Sequence, residues 1–318
     1  MKKILKRIGK ALLIFIAAVA VFLIGMAVYH HVMLTREAGQ IKPNGKLVTV
    51  DGHKMHVYVE GNNQRTPTLV LMSGAGVAAP VYDYKVLYSK LSGTYRVAVI
   101  EKFGYGYSDV SGLPRDIDTL VREDREALKQ AGISGPYVLM PHSMSGLEAL
   151  YWAQKHPDEV PAIVGLDPSV PETYEPSYNN DWQIKLLQAA TFTGLHRIPL
   201  LDPVSERGLT ASEVQQHKLL NYKVTLNSDI AQECRTVGAN AKTVKKGGVP
   251  NIPMLMFCSN GEDTGTGPSW VAIHRKFAAK SNKIKLIQLN CGHFIHYYKS
   301  DEIAKEIKDF LKQQFKNS

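Results

Sequence analysis

Cysteine is scarce in this chain, with three in 318 residues, at positions 234, 258 and 291. They are too few and too irregularly spaced for a disulfide framework or a zinc site. Cys258 lies in an apolar run and Cys291 beside a histidine, so both read as packed thiols, with a bond between them outside the cytoplasm as the alternative. No His-Glu-x-x-His helix, internal repeat or low-complexity tract occurs, and His53 and His56 read as strand surface rather than metal ligands. Acidic residues are missing from the first ten positions, and charge of either sign is missing from 11–29.

Those two absences define the amino end. Lys2, Lys3, Lys6, Arg7 and Lys10 precede an apolar run of about 28 Å at 1.5 Å per residue, long enough to cross a bilayer core. The five basic residues outnumber Arg36, Lys42 and Lys46 beyond the run, so the amino end is expected in the cytoplasm and the rest of the chain outside. A cleavable signal peptide, cut near Gly25-Met-Ala27, is the alternative, although the run is long for that purpose. Of the formal +9, only +4 remains once the first ten residues are set aside. That charge is scattered over helical faces such as 299–316, which implies no nucleic-acid partner. Attraction to anionic lipid headgroups is at most secondary. The stretch 36–46, with Gly39, Pro43 and Gly45, reads as a short linker.

Residues 137–146, Tyr-Val-Leu-Met-Pro-His-Ser-Met-Ser-Gly, read as a buried strand that enters a tight turn and then a helix. Ser143 stands at the turn. A serine there takes a strained backbone that lifts its hydroxyl above the sheet edge and aims the amide of Met144 at the same space. The usual pattern is Gly-x-Ser-x-Gly; here Pro141 and Ser145 hold the glycine positions. A hydroxyl at a strand-to-helix junction is also an ordinary helix cap, so the motif alone is ambiguous. Further on, 283–290 alternates like a late strand and delivers His293 just ahead of a helical stretch at 301–315.

With these landmarks the sequence resembles the α/β-hydrolase family from about residue 47 to 311. Residues 50–61 are similar to its opening hairpin, and 68–76 to its third strand and oxyanion loop, with Ser73-Gly74 where His-Gly is usual. Residues 101–109 are similar to its Asp-x-x-Gly-x-Gly-x-Ser segment, with Glu101 in place of Asp. The resemblance implies an α/β fold, mostly a parallel sheet flanked by helices, with a helical cap inserted after the sixth strand. It implies core at 47–167 and 250–318 and a cap at 168–249, which follow the tail at 1–10, the membrane helix at 11–29 and a linker at 30–46 read from charge and hydropathy. His142, often histidine in the family, is expected to face away from the chemistry.

The implied chemistry is acyl transfer. His293 takes the proton of Ser143 as it attacks an ester carbonyl and returns it to the leaving group, while a carboxylate orients the ring. The amides of Ala75 and Met144 are the expected oxyanion donors, worth on the order of 3 kcal/mol each in comparable enzymes. The acid is placed less firmly. Family spacing after the seventh strand, 253–260, gives Glu262 when counted from the strand and Asp263 when counted from Pro268, with Asp263 preferred, whereas some relatives use the end of the sixth strand, which offers Asp167. As an ordinary residue Asp167 would be a turn cap before Pro168.

No cofactor or metal is expected, and the partners are a small-molecule ester, with lipid-derived esters as one class, and a membrane. Two other functions compete. Gly74-x-Gly76-x-x-Ala79 fits a dinucleotide fingerprint with Glu101 as ribose acid, but Pro80 follows at once and the helical pattern starts only near Tyr84. A non-catalytic ligand receptor on the same fold would accommodate Pro141 and the uncertain acid. In the cap, helices are expected over 181–191, 211–226 and 230–245, with Tyr174, Tyr178, Trp182, Phe192 and Leu195 as an apolar roof over the pocket.

Overall fold

The computed structural model of the protein describes residues 2–64, 66–174, 181–198, 204–264 and 269–315. Tyr178 lies outside them. The apolar runs condense into one sheet of eight strands: β1 (Lys46–Val50), β2 (His53–Glu60), β3 (Thr68–Met72), β4 (Val97–Glu101), β5 (Tyr137–Ser143), β6 (Ala162–Pro168), β7 (Met254–Cys258) and β8 (Ile284–Gln288). Their order is β1-β2-β4-β3-β5-β6-β7-β8. The opening hairpin pairs antiparallel, β2 joins β4 antiparallel, and every later pair is parallel.

The helices are α1 (Lys2–Glu37), α2 (Pro80–Asp83), α3 (Lys85–Leu91), α4 (Ile117–Gln130), α5 (Gly146–Lys155), α6 (Asp181–Phe192), α7 (Ala211–Val224), α8 (Ser228–Gly247), α9 (Ser269–Ala278) and α10 (Ile295–Gln314). They cover both faces of the sheet, which is why β3, β4 and β7 are buried along their whole lengths instead of alternating. Val70 and Met72 pack with α4, α5 and α8 on one side; Leu69 and Leu71 pack with α3 and α10 on the other. α6, α7 and α8 form the insertion between β6 and β7, where the pattern places three cap helices.

At the amino end the structure corrects the expected linker. α1 runs unbroken to Glu37 and is followed by one 3-10 turn, so residues 30–37 are helix. The reason lies in the cap. Arg197 forms a two-pronged bond to Glu37 (2.9 and 2.7 Å) and donates its Nε–H to His30 Nδ1 at 2.7 Å. Partners at both ends of those two turns hold the helix where Gly39, Pro43 and Gly45 alone suggested slack. α1 is also long and apolar enough to cross a membrane, and none of its most apolar 18-residue window is buried.

Candidate active site

β5 delivers Ser143 at φ +54, a left-handed conformation that non-glycine residues seldom adopt. Neighbours hold it there. Ser145 Oγ donates to Met72 O (2.8 Å) or to His142 O (2.9 Å) and accepts from His142 N (3.0 Å), so the serine in the glycine position stitches the turn to β3. Pro141 sits in the ladder opposite Met72, and the pairing with β6 slips between His142 and Ser143. Gly74 is required by contact: a Cβ there would lie 2.5 Å from Ser143 Cβ and 2.8 Å from His142 O. The loop of Ala75 therefore rests directly on the serine turn. Among the described residues neither the Ala75 nor the Met144 amide has a protein acceptor.

The cap position of α5 falls on Ser145, not Ser143. Ser143 Oγ instead lies 2.8 Å from Nε2 of His293. On the other side of the ring, Nδ1 lies 2.6 Å from Oδ2 of Asp167. This corrects the expectation that favoured Asp263. Asp167 ends β6, whose neighbours in the sheet are β5 and β7, and its φ of +54 turns the carboxylate toward the histidine loop. Asp263 and Glu262 stand exposed on the loop after β7, with Asp263 Oδ2 beside Gly292.

The electrostatics of Asp167 follow from its partners. The side chain is fully buried, and burial pushes its pKa up. The bond and charge of His293, with donors Trp270 Nε1 (2.7 Å) and Ser259 N (2.7 Å) on Oδ1, outweigh that and hold the carboxyl below its ordinary range. Cys258 and His274 lie near enough to Asp167 to share an ion with it. Both ring nitrogens of His274, however, face carbonyl oxygens at 2.8 and 2.7 Å, so each is already directed at a backbone partner. All three cysteines are free thiols.

His142 does not simply face away. Its Nε2 lies 3.2 Å from the carbonyl oxygen of His293 and its ring packs 4.7 Å from the His293 ring. Burial, then the neighbouring His293 and His296, push its pKa well below the ordinary imidazole range, so it packs there uncharged. His56 is another departure: it is fully buried, with Nδ1 2.9 Å from Glu101 Oε2. Glu101 also accepts from Val81 N and Tyr107 N. Both its oxygens are thus engaged in the interior, and no acid is left for a ribose. No helix opens at Gly74 either; α2 begins only at Pro80.

A cavity of about 340 Å³ is lined by Gly76 of the loop after β3, by Phe294, which follows His293, and Tyr297, and by Arg207, His217 and Asn221 of the cap. A larger cleft, about 590 Å³, lies at the far end of β5 around Tyr137 and Glu159. Of the residues expected as an apolar roof, Tyr178 lies outside the described residues, Tyr174 and Leu195 are half-buried, and two face outward. Trp182 and Phe192 are 67% and 63% exposed on the outside of α6, and the Tyr174 hydroxyl pairs with Ser169 Oγ at 3.1 Å. Behind the turn the cap is fastened by charge: the buried Lys102 Nζ donates to Glu148 of α5 (2.7 Å) and Glu233 of α8 (2.5 Å). Sequence pattern missed this cluster, because its members are 46 and 131 residues apart.

The sequence comparisons agree with the architecture. Residues 67–193 match the family model described as alpha/beta hydrolase fold. The uncharacterised protein YbdG of Bacillus subtilis (strain 168) is 37% identical, with 96% of each chain covered. Among solved structures, the enol-lactonase of Burkholderia xenovorans LB400 superposes with TM-score 0.63 at 18% identity, over 84% of this chain and 100% of that one. A thermophilic esterase from Thermogutta terrifontis gives TM-score 0.64 at 15% identity, over 84% and 97%. The chain belongs to the α/β-hydrolase family.

Proposed function

We propose that the protein is a serine hydrolase that cleaves an ester, or secondarily an amide, through an acyl-enzyme on Ser143. His293 is the base, Asp167 orients and balances its ring, and the amides of Ala75 and Met144 receive the oxyanion. The observation that carries this reading is the unbroken line from Ser143 Oγ through both His293 nitrogens to Asp167, at 2.8 and 2.6 Å. In the first half-reaction Oγ attacks the carbonyl carbon as its proton passes to Nε2, and collapse expels the alcohol with that proton. In the second, water repeats the sequence on the acyl-enzyme and regenerates Ser143. Displacement at an epoxide or a carbon–halogen bond would call for a carboxylate at position 143.

The same reading places α1 across a membrane, with its lysine-rich start in the cytoplasm and the hydrolase outside. Lipid-derived esters are then a natural substrate class, since the tether concentrates the site beside acyl chains. A fluorophosphonate probe tests the chemistry. The full-length protein is expected to label, Ser143→Ala to abolish labelling and His293→Ala to weaken it. A well-folded protein that does not label would instead speak for a ligand receptor on the hydrolase fold.

A further inference from the structure

The outer side of α6 carries an apolar surface that the hydrolase core does not use. Trp182, Leu186, Leu187 and Phe192 are 67%, 63%, 52% and 63% exposed, while Ile184, facing the opposite way, is buried. At 100° per residue Trp182, Leu186 and Phe192 share one flank with Ala189, and Lys185 beside them is long enough to carry its ammonium clear of an apolar layer.

This flank is continuous with α1. The Phe192 ring meets the His31 ring at 4.8 Å. Gly194 fits so closely that a Cβ there would stand 2.5 Å from His30 Cβ, and Arg197 grips His30 and Glu37. Contact at His31 is two residues past Tyr29, the last residue of the charge-free run, or about 3 Å along the helix axis. The end of α6 is therefore fixed at the level where α1 would leave the hydrocarbon.

We infer that the outer flank of α6 lies in the headgroup boundary of the bilayer that α1 spans, so that the cap rests on lipid. This rests on the membrane reading of α1 and is independent of the hydrolase chemistry. A lipid surface is the occupant, in preference to a second copy of the chain, because the flank meets α1 at His31, beside its exposed Val28, Tyr29 and Val32. Tryptophan and a lysine at such a boundary are the residues that interfacial helices use.

Trp182 supplies the probe, because the other two tryptophans, Trp152 and Trp270, are buried in the core. The full-length protein and Trp182→Phe are placed in phosphatidylcholine discs, with and without bromine on the acyl chains, and the emission lost in the variant is assigned to Trp182. That share is expected to be quenched by the brominated lipid and protected from aqueous iodide. Quenching by iodide but not by bromine would overturn the inference, and so would quenching by neither, which would mean that protein covers the flank. Alkaline carbonate extraction of vesicles separates the two readings. Release of the protein removes the membrane reading itself, whereas retention with an iodide-exposed Trp182 removes only the placement of α6.

Discussion

Replacing Asp167 by Asn should disable the site for a reason that the structure makes specific. Two donors, Ser259 N and Trp270 Nε1, converge on Oδ1 at 2.7 Å each. They select the carbonyl oxygen of an asparagine for that position and force its NH2 to the place of Oδ2, facing His293 Nδ1 at 2.6 Å. An NH2 there needs an acceptor. The ring must then carry its proton on Nε2, so a donor faces Ser143 Oγ and the base is gone. The equivalent change in the well-studied serine protease triad costs about 10⁴ in rate, which corresponds to about 5.4 kcal/mol of transition-state stabilisation. The assay is the second-order rate of fluorophosphonate labelling together with hydrolysis of a short p-nitrophenyl ester, on protein whose thermal unfolding shows it intact. Asp263→Asn is the control and should leave both rates within a factor of about two, since its exposed side chain has no bond to Ser143, His293 or Asp167 among the described residues. A folded Asp167→Asn variant within ten-fold of the parent, or a large loss in Asp263→Asn, would refute the assignment.

Gly74→Ala puts a methyl 2.5 Å from Ser143 Cβ, where ordinary contact begins near 3.4 Å; a displacement of about 1 Å between oxyanion loop and nucleophile should lower the labelling rate about 10²-fold. If Gly74→Ala labels as fast as the parent, the loop does not hold the reacting carbonyl. Lys102→Met leaves Glu148 and Glu233 buried without their cation and should cost about 3–5 kcal/mol in a denaturant titration; a loss under about 1 kcal/mol would show that the cluster does not fasten the cap. Burial raises Glu148 from 4.5 to about 7. Its contribution to stability is therefore full below about 4.5 and is lost as pH rises through about 7. Glu148→Gln removes that loss, so its Tm relative to the parent should climb between pH 5 and pH 8; a difference independent of pH would contradict the shift.

What could be read from the sequence follows from which features are local. Ser143 and the helix behind it are encoded by ten consecutive residues, and His293 by a strand and the turn after it, so their meeting needs only the order of strands in a parallel sheet. The acid depends on something sequence does not carry, namely that β6 ends next to the histidine loop with a left-handed Asp167, whereas the spacing of the β7 loop is equally good for a carboxylate that points elsewhere. The cap shows the same division. Its three helices are legible from the sequence pattern, and in the structure Thr210 with Glu213 and Asn227 cap the starts of α7 and α8. Which face of α6 turns inward is not, because Trp182 and Phe192 look like core residues in any pattern. Glu37 and His30 read as linker for a related reason: their partner, Arg197, lies 160 and 167 residues away.

The grip of Arg197 on two successive turns of α1 ties that helix to the cap where a free hinge was expected. On the proposed placement of α1 across a membrane, the helix and the segment that holds Arg197 would tilt together. In a thinner hydrocarbon layer an apolar run of about 28 Å would lean further from the normal, carrying that segment with it. On that placement a change of lipid thickness would be felt at the cap as a rotation.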